Sequence, residues 1–377
     1  MSFYDEIESY RWEQIGQEIH CRTKAEVERA LTAHHVSLDG LLSLLSPAAE
    51  TSLEEMAQRA HRLTEQRFGR VISLFAPLYL SNVCTNSCVY CGFNLSNPVE
   101  RLTLTVAQVE VEGKHLREQG FRHVLLVSGE APQVVNMEYL LNAVKTLRRW
   151  FASISIELYP MDNTAYEKLI AQGVDGLVVY QETYDEERYR EVHPAGKKKD
   201  YRWRLETPER GGHAGFRRIG IGALLGLSDW RVDGFYLALH ARYLLRNFWK
   251  SHLTISFPRL RPAAGGYKPP CPVSDAQMVQ LLTALRLFLP DAGLILSTRE
   301  SSHFRDHLIP LGITSMSAGS RTVPGGYTHC TQAEAQFEIA DHRSPQVVVE
   351  VISRKGYEPV WKDWDGAFLA QKVGGSG

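Results

Sequence analysis

Three cysteines, Cys84, Cys88 and Cys91, lie within eight residues of one another with the spacing C-x3-C-x2-C. Loops this short cannot meet disulfide geometry, so these thiols are not expected to pair with one another. Converging thiolates can instead hold a metal ion or an iron–sulfur cluster. Three cysteines leave one iron of a four-iron cluster open to an exchangeable ligand, which indicates a catalytic cluster. Two alternatives remain: a zinc site, which usually takes four ligands, and three cysteines that only pack.

The composition narrows the class of protein. The chain has 377 residues, of which 44% are hydrophobic and 23% charged, and its formal net charge is −1. Such a chain is ordinary for a globular protein and offers no basic field for nucleic acid. It has no long apolar run and no signal-peptide features at its start, so we expect a cytoplasmic protein without membrane contact. The other cysteines are scattered, which fits a reducing compartment; they are Cys21, Cys271 and Cys330.

From Val71 onward the sequence repeats one unit: a short apolar run, a polar loop, an amphipathic stretch and another apolar run. Continuous apolar runs typify buried parallel strands, and their alternation with helices implies right-handed βαβ crossovers. Eight runs predict an α/β fold of the (β/α)8 barrel type, with a doubly wound open sheet as the alternative. The runs are Val71–Leu80, His123–Val127, Ser153–Leu158, Gly176–Tyr180, Arg218–Ala223, Leu253–Phe257, Leu294–Ser297 and Ile313–Met316.

The chain is accordingly divided into three segments. Residues 1–70 carry helical patterns and are expected to form an N-terminal helical segment. Residues 71–320 are expected to form the barrel. Residues 321–377 are expected to form a C-terminal extension that packs on the barrel and includes a helix near Pro345–Arg354.

Polar residues gather where the predicted strands end. In a barrel of this type the chemistry lies at the carboxyl ends of the strands. The short basic run Lys197–Lys199, in contrast, is interpreted as a solvated loop. The strand-end residues are Cys84 to Cys91, Ser128-Gly129-Glu130, Glu157, Gln181-Glu182-Thr183, Gly222, Ser256, Arg299-Glu300 and Ser317.

The cysteine motif, with Tyr90 before its last cysteine, resembles that of the radical S-adenosylmethionine (SAM) superfamily. The resemblance implies a [4Fe–4S] cluster on Cys84, Cys88 and Cys91, whose fourth iron is chelated by the amino and carboxylate groups of SAM. Reduction of SAM would then give methionine and a 5′-deoxyadenosyl radical. Tyr90 is expected to pack beside the cluster rather than to donate a proton.

Further segments resemble SAM-binding elements of that superfamily. Ser128-Gly129-Glu130 is similar to a Gly-Gly-Glu motif that binds the methionine amino group, and strand-end oxygens can accept from an ammonium. The segment from Gly222 through Leu224 to Asp229 is similar to an element that abuts the adenine; because Leu224 and Asp229 depart from the pattern, only backbone contacts carry over. Arg204 resembles an arginine of biotin synthase that pairs with the SAM carboxylate, with an exposed helix arginine as the alternative.

Nearly the whole chain resembles the tyrosine lyases of thiamine biosynthesis, the 2-iminoacetate synthase family. The resemblance implies that the radical abstracts a hydrogen from the amino group of L-tyrosine, that the Cα–Cβ bond breaks, and that p-cresol and 2-iminoacetate result. The similar segments are Pro77–Asn82, Cys91–Phe93, Val179–Tyr184, Phe257–Pro262, Leu296–Ser301, Pro324–Tyr327 and Pro359–Asp365.

Two related activities are disfavoured. The hydrogenase-maturation tyrosine lyase carries a second cluster in a C-terminal domain, whereas only Cys330 occurs in that region here. Biotin synthase holds a second cluster on cysteines of strands two to four, and those predicted strands contain none. Two alternatives to a tyrosine lyase stay open: a radical SAM enzyme for another amino acid, and a non-catalytic zinc-binding module.

The amino-acid site needs a cation, because a buried carboxylate left unpaired is costly. Arg299 is our candidate, and related aromatic amino acid lyases suggest Ser317 beside it; a structural ion pair between Arg299 and Glu300 or another acid is the alternative. Glu157 and Glu182 could bind ribose hydroxyls or other polar groups, and Glu182 is also a candidate catalytic residue. No sequence context identifies a proton acceptor.

The resemblance also implies partners. Thiazole synthase would receive the product, and an electron donor such as flavodoxin or ferredoxin would reduce the cluster. Trp361 and Trp364 are interpreted as packing residues, with a docking surface for thiazole synthase as the alternative. A second metal site at His329-Cys330 is considered and disfavoured.

Overall fold

The computed structural model describes residues 2–329 and 333–362. Within them a barrel of parallel strands follows the predicted runs closely. The strands are β1 (Val71–Ser81), β2 (His123–Ser128), β3 (Ser153–Glu157), β4 (Gly176–Glu182), β5 (Arg218–Ala223), β6 (His252–Ser256), β7 (Gly293–Leu296), β8 (Ser315–Ser317) and β9 (Glu358–Val360).

The first eight strands close on themselves. β2 to β8 follow one another in chain order, and β1 pairs with both β8 and β2, for example Ala76 with Val124. An open, doubly wound sheet has two edges, so this closure excludes that alternative and confirms the predicted barrel. β9 was not predicted; it lies parallel to the first residues of β1, where Val71 pairs with Glu358.

Helices connect the strands and cover their outer face. Two of the helices begin at capping boxes headed by Thr105 and Ser274. The helices are α1 (Phe3–Ile7), α2 (Trp12–His20), α3 (Lys24–Thr32), α4 (Leu38–Leu45), α5 (Leu53–Phe68), α6 (Val106–Glu118), α7 (Met137–Leu147), α8 (Asn163–Gln172), α9 (Glu186–Val192), α10 (Tyr201–Leu205), α11 (Thr207–Ala214), α12 (Trp230–Asn247), α13 (Asp275–Phe288), α14 (Ser302–Leu308) and α15 (Pro345–Arg354), with 3₁₀ turns at Pro47–Ser52, Lys197–Lys199 and Ile309–Leu311. No described helix is long and apolar enough to cross a bilayer.

The N-terminal helices share one buried core with the barrel, which includes Phe3, Leu41 and Leu281. Polar side chains of α12 and α13 fasten this layer. Gln280 donates to the carbonyls of Leu44 and Ser46 at 2.8 Å each. The boundaries of the three segments remain a prediction, because residues of all three segments share one buried core.

One irregular segment crosses the barrel mouth. We call residues 333–341 the crossing segment. Its backbone bonds three different mouth loops: Gly92 donates to Gln336, Glu338 donates to Pro262, and Ala340 donates to Thr298, each at 2.9 Å. At its end Asp341 is buried between Arg305 and Arg343. The mouth is therefore covered from one side.

Candidate active site

The three cysteines lie in the loop that follows β1. Cys88 is buried, and Cys84 and Cys91 are half-buried. The loop is held from outside by backbone hydrogen bonds: Thr85 donates to the carbonyl of Glu130 at 2.9 Å, and Val89 donates to the carbonyl of Val192 at 3.1 Å. All three cysteines line a single cavity, which we call the cysteine cavity. The structure thus brings together the residues that the spacing singled out.

The chemistry of these thiols fits an iron–sulfur cluster. Burial raises the pKa of Cys88 to about 12 and that of Cys91 to about 11, and Lys198 only partly opposes this. The thiolates therefore need a strong positive charge beside them, which a bound cluster supplies. No set of three or more His, Cys, Asp or Glu side chains in the described residues is arranged around one metal ion. A four-iron cluster differs from zinc in placing each cysteine on a different iron.

Ser128-Gly129-Glu130 supports the cysteine loop and lines the same cavity. A Cβ atom on Gly129 would lie 2.3 Å from the Val83 carbonyl oxygen, so only glycine allows the loop to pack this closely. The buried carboxylate of Glu130 accepts a hydrogen bond from the Asn86 side chain at 2.8 Å. The motif therefore fixes the floor of the cavity and presents oxygen acceptors to it.

A second wall of the cysteine cavity carries two cations and a carboxylate. Glu182, at the tip of β4, is the one non-glycine residue with positive φ (74°) in the described part of the chain. Its Oε1 lies 2.6 Å from Lys198 Nζ and 3.5 Å from Arg204 Nη2. Burial would raise the pKa of Glu182, but the two cations outweigh burial and hold this pKa below its usual value. On this wall, two cations therefore share one carboxylate.

This wall corrects two interpretations. Lys198 is not a solvated residue: Lys197 and Lys199 are exposed, but the side chain of Lys198 is only 14% exposed and faces the cavity. Arg204 is not an exposed helix arginine either. It is buried, and its Nε donates to the Tyr180 carbonyl at 2.6 Å.

Three further predicted residues lie behind the cavity wall. Tyr90 and Leu224 pack against Cys88, and the Tyr90 hydroxyl is hydrogen-bonded to His193 Nε2 at 2.7 Å. The backbone N–H of Leu224 donates to the Glu182 carbonyl at 2.7 Å. A Cβ on Gly222 would meet the Ser256 carbonyl oxygen at 2.5 Å, so this glycine permits close strand packing.

Arg299 and Ser317 line a second cavity deeper in the barrel, which we call the arginine cavity. No described residue forms an ion pair or side-chain hydrogen bond with the Arg299 guanidinium, which instead lies 3.4 Å from the centre of the Phe337 ring. The alternative pairing with Glu300 is wrong. That carboxylate accepts from Arg259 Nε at 3.1 Å and lies 3.4 Å from Arg261 Nη2.

The two cavities adjoin each other. Glu157 and Gln336 line both of them. Burial and the neighbouring Glu182 raise the pKa of Glu157 to about 7, although Arg299, Arg204 and Lys198 act in the opposite direction. Gln336 Oε1 accepts a hydrogen bond from the Tyr79 hydroxyl at 2.7 Å. A ligand in one cavity would therefore lie next to a ligand in the other.

Sequence reasoning missed several residues of this site, namely Asn86, Lys198, Gln336 and Phe337. Asn86 lies inside the cysteine motif, and its position there was the available signal. The other three are on loops whose path over the mouth no local pattern predicts.

Two expectations fall partly outside the described residues. Trp361 packs edge-on against Phe121, with ring centres 5.1 Å apart, whereas Trp364 lies beyond the described range. Of the disfavoured metal site at His329-Cys330, only His329 lies within the described residues.

Comparison with known proteins places this geometry in a family. The model of the radical SAM superfamily matches residues 78–239, and that of the biotin and thiamin synthesis associated domain matches residues 256–358. The 2-iminoacetate synthase of Salmonella typhimurium is 48% identical over 365 residues, which cover 97% of each chain. The chain belongs to the 2-iminoacetate synthase family. The predicted family is thereby confirmed.

Further relatives occur among curated proteins and solved structures. The 2-iminoacetate synthase of Escherichia coli is 47% identical over the same share of both chains. The [FeFe]-hydrogenase maturase HydG of Carboxydothermus hydrogenoformans is 35% identical with a TM-score of 0.83, over 95% of this chain and 81% of that one. Methylornithine synthase, at 21% identity and a TM-score of 0.73, shares the fold over 89% of this chain and 97% of its own. Radical SAM membership implies SAM and a [4Fe–4S] cluster as cofactors.

Proposed function

We propose that this chain is a radical SAM lyase that cleaves the Cα–Cβ bond of L-tyrosine to give 2-iminoacetate and p-cresol, with 5′-deoxyadenosine and methionine from SAM. The observation that carries the proposal is the arginine cavity beside the cysteine cavity. A half-buried guanidinium without an acidic ion-pair partner in the described residues faces the first cavity, and three cysteines face the second. Full-length similarity to 2-iminoacetate synthases supports the same substrate.

In this proposal Cys84, Cys88 and Cys91 hold the cluster. Once bound and reduced, the cluster supplies the electron that cleaves SAM into methionine and a 5′-deoxyadenosyl radical. The protein's part is to fix SAM on that cluster. Gly129 and Glu130 present acceptors to the amino group of SAM, and Arg204 presents a guanidinium to its carboxylate.

The remaining SAM contacts follow from the same wall. Glu182 and Glu157 carry carboxylates within reach of ribose hydroxyls. Gly222 and Leu224 shape the backbone near the adenine, and Tyr90 packs behind the cluster. These roles are proposals that rest on position and charge.

In this proposal the tyrosine substrate occupies the arginine cavity in one orientation. Its carboxylate pairs with Arg299, which is half-buried and otherwise has no ion-pair partner among the described residues. Ser317 lies beside Arg299, and its Oγ already accepts from the Thr298 N–H at 3.2 Å, so its hydroxyl hydrogen is available to the ligand. The lower wall is apolar, formed by Phe75, Leu125 and Ile295, and suits an aromatic ring.

The proposal includes two partners and a compartment. Thiazole synthase would consume 2-iminoacetate. Flavodoxin or ferredoxin would deliver two electrons per turnover: one for SAM cleavage, and one that, with a proton, reduces the cresyl radical left by Cα–Cβ cleavage to p-cresol. All five described cysteines are free thiols, in keeping with the cytoplasm.

Anaerobic turnover tests the proposed function. The reconstituted protein with tyrosine, SAM and dithionite should give 5′-deoxyadenosine and p-cresol together, measured by liquid chromatography and mass spectrometry. Cys88→Ala should abolish both products, whereas Cys21→Ala, at an exposed cysteine, should leave them unchanged. If 5′-deoxyadenosine forms without p-cresol, and another amino acid is cleaved instead, the assignment to tyrosine is wrong.

A further inference from the structure

The crossing segment contributes two side chains to the interior of the barrel. Gln336 lines both cavities, and Phe337 lines the arginine cavity. Neither belongs to a strand of the barrel or to the cysteine loop. Their backbone is fixed by two hydrogen bonds: Gln336 donates to the Thr322 carbonyl at 2.9 Å and accepts from the Gly92 N–H at 2.9 Å.

The contact with Gly92 ties this segment to the cysteine loop. A Cβ at position 92 would lie 2.2 Å from the Ala335 carbonyl oxygen, so a glycine next to Cys91 is required for the close approach. The segment is therefore seated on the loop that carries the cysteines, and it reaches from there to Arg299. The same segment therefore contacts the cysteine loop of one cavity and the arginine of the other.

Phe337 determines where the Arg299 guanidinium lies. The ring stacks on one face of the guanidinium at 3.4 Å, and no described carboxylate forms an ion pair with it. Stacking occupies the face of the guanidinium and leaves its N–H edge available to a carboxylate. Thr322 Oγ1 donates to the Phe337 carbonyl at 2.9 Å, which fixes the backbone below the ring.

Gln336 lies where the substrate's amino group must come. Hydrogen abstraction requires that group to face the cysteine cavity, and Gln336 is at the opening between the cavities. Its Oε1 accepts from Tyr79 and retains a second lone pair, and its Nε2 has no partner among the described residues. The carboxamide can therefore both accept from and donate to an amine.

We propose that the crossing segment completes the tyrosine site: Phe337 is a positioning residue that orients Arg299, and Gln336 contacts the substrate amino group at the opening between the cavities. The inference rests on the proposed function and adds to it the residues that set the position of the substrate relative to SAM.

Four single variants test the inference: Phe337→Leu, Phe337→Tyr, Gln336→Leu and the control Glu338→Gln. Glu338 is on the same segment, and its side chain is exposed. Phe337→Leu should raise KM for tyrosine about three- to tenfold, the range expected when a cation–π contact is lost. Phe337→Tyr keeps an aromatic ring and should stay near the wild-type KM. Gln336→Leu should at least double the ratio of 5′-deoxyadenosine to p-cresol, on the order of the loss of one hydrogen bond.

A double variant separates positioning from general damage. In an Arg299→Lys background, Phe337→Leu should change KM much less than it does alone, because contacting residues couple. Iron content per chain is measured for every variant, and Phe337→Met replaces Phe337→Leu if the latter loses iron.

The outcomes are distinct. If Phe337→Leu and Gln336→Leu both behave like Glu338→Gln, in KM and in product ratio, the inference is overturned while p-cresol formation stands. If the wild-type protein makes no p-cresol, the proposed function fails, and the inference fails with it.

Discussion

At the scale of single residues, the site is defined by which charges have partners. Glu300 and Arg299 are adjacent in the chain, yet Glu300 pairs with Arg259 and Arg261. Arg299 is left facing a cavity, stacked on Phe337. Because a half-buried charge without an ion-pair partner is costly, we expect an anion to bind there.

Arg299→Lys should therefore raise KM for tyrosine at least about tenfold, because a lysine cannot form the two parallel hydrogen bonds that a guanidinium offers to a carboxylate. Slow SAM cleavage without tyrosine should persist, since the cysteine cavity is unchanged. Steady-state assays of both products measure this. Arg354→Lys, at an exposed position of α15, is the control; an unchanged tyrosine KM would remove Arg299 from the site.

The half-buried Glu157 leads to a prediction about pH. Its pKa of about 7 lies above the ordinary glutamate value of about 4.3. Between these pH values the unfolded chain releases a proton that the folded protein keeps, so wild-type stability falls as pH rises through this window. Glu157→Gln cannot ionise and should be more stable than wild type at pH 8, by up to about 3 kcal/mol.

Thermal unfolding of the cofactor-free protein at pH 5 and pH 8 checks this. The gain should be much smaller at pH 5. Glu167→Gln, on the exposed side of α8, is the matched control. The same gain at both pH values would contradict the prediction.

Sequence patterns predict residues well when the chemistry is local. Cys84, Cys88 and Cys91 carry their own spacing, and Glu130 and Arg204 follow recognisable motifs; all five line one cavity. Lys198 was misjudged because its exposed neighbours Lys197 and Lys199 hide a side chain that turns inward. Gln336 and Phe337 have no pattern, since only the path of the crossing segment brings them to the site.

At the scale of elements, the cysteine loop is held between the end of β2 and the crossing segment. Two glycines allow this: Gly129 approaches Val83 from one side, and Gly92 approaches Ala335 from the other. Neither position leaves room for a Cβ atom. The loop geometry therefore depends on backbone contacts that side-chain chemistry does not reveal.

Gly129→Ala should lower the iron content per chain and cost about 1–3 kcal/mol of stability, because the added methyl group pushes the backbone next to Cys84. Iron analysis after anaerobic reconstitution and thermal unfolding measure the two effects. Gly16→Ala is the control: its Cβ would meet Val232 Cγ2 at an ordinary 3.6 Å, so it should stabilise α2 slightly. Full iron loading of Gly129→Ala would contradict this account of the loop.

Strands that are buried in the barrel are the easiest elements to predict, because their residues form continuous apolar runs. The run His123–Val127 falls within β2, and Arg218–Ala223 coincides with β5. The short β8 covers only Ser315–Ser317, so its predicted run begins too early. β9 was not predicted, because a three-residue strand containing Pro359 has no recognisable sequence pattern; only its pairing with β1 identifies it.

At the scale of the whole molecule, the N-terminal helices are part of the barrel's core. Gln280 of α13 satisfies two carbonyls at the end of α4, so the contact is specific as well as apolar. The N-terminal helices pack against α12 and α13 on the outside of the barrel. These two helices are far from the cysteine loop in the sequence.

Gln280→Leu should cost about 1–3 kcal/mol, because it leaves the buried carbonyls of Leu44 and Ser46 without a donor. A fall in the thermal unfolding midpoint, with iron content unchanged, would agree with a role in docking the layer. Gln58→Leu, at an exposed position of α5, provides the comparison. Equal midpoints for the two variants would contradict the prediction.

The adjoining cavities also predict direct hydrogen transfer from the tyrosine amino group to the SAM-derived radical. A single anaerobic turnover in D₂O, where N–H groups exchange with solvent, tests this by mass spectrometry. The account predicts one deuterium in 5′-deoxyadenosine, formed together with p-cresol. If 5′-deoxyadenosine forms beside p-cresol but carries no deuterium, the hydrogen comes from elsewhere, and the account of two neighbouring sites acting in one reaction is contradicted.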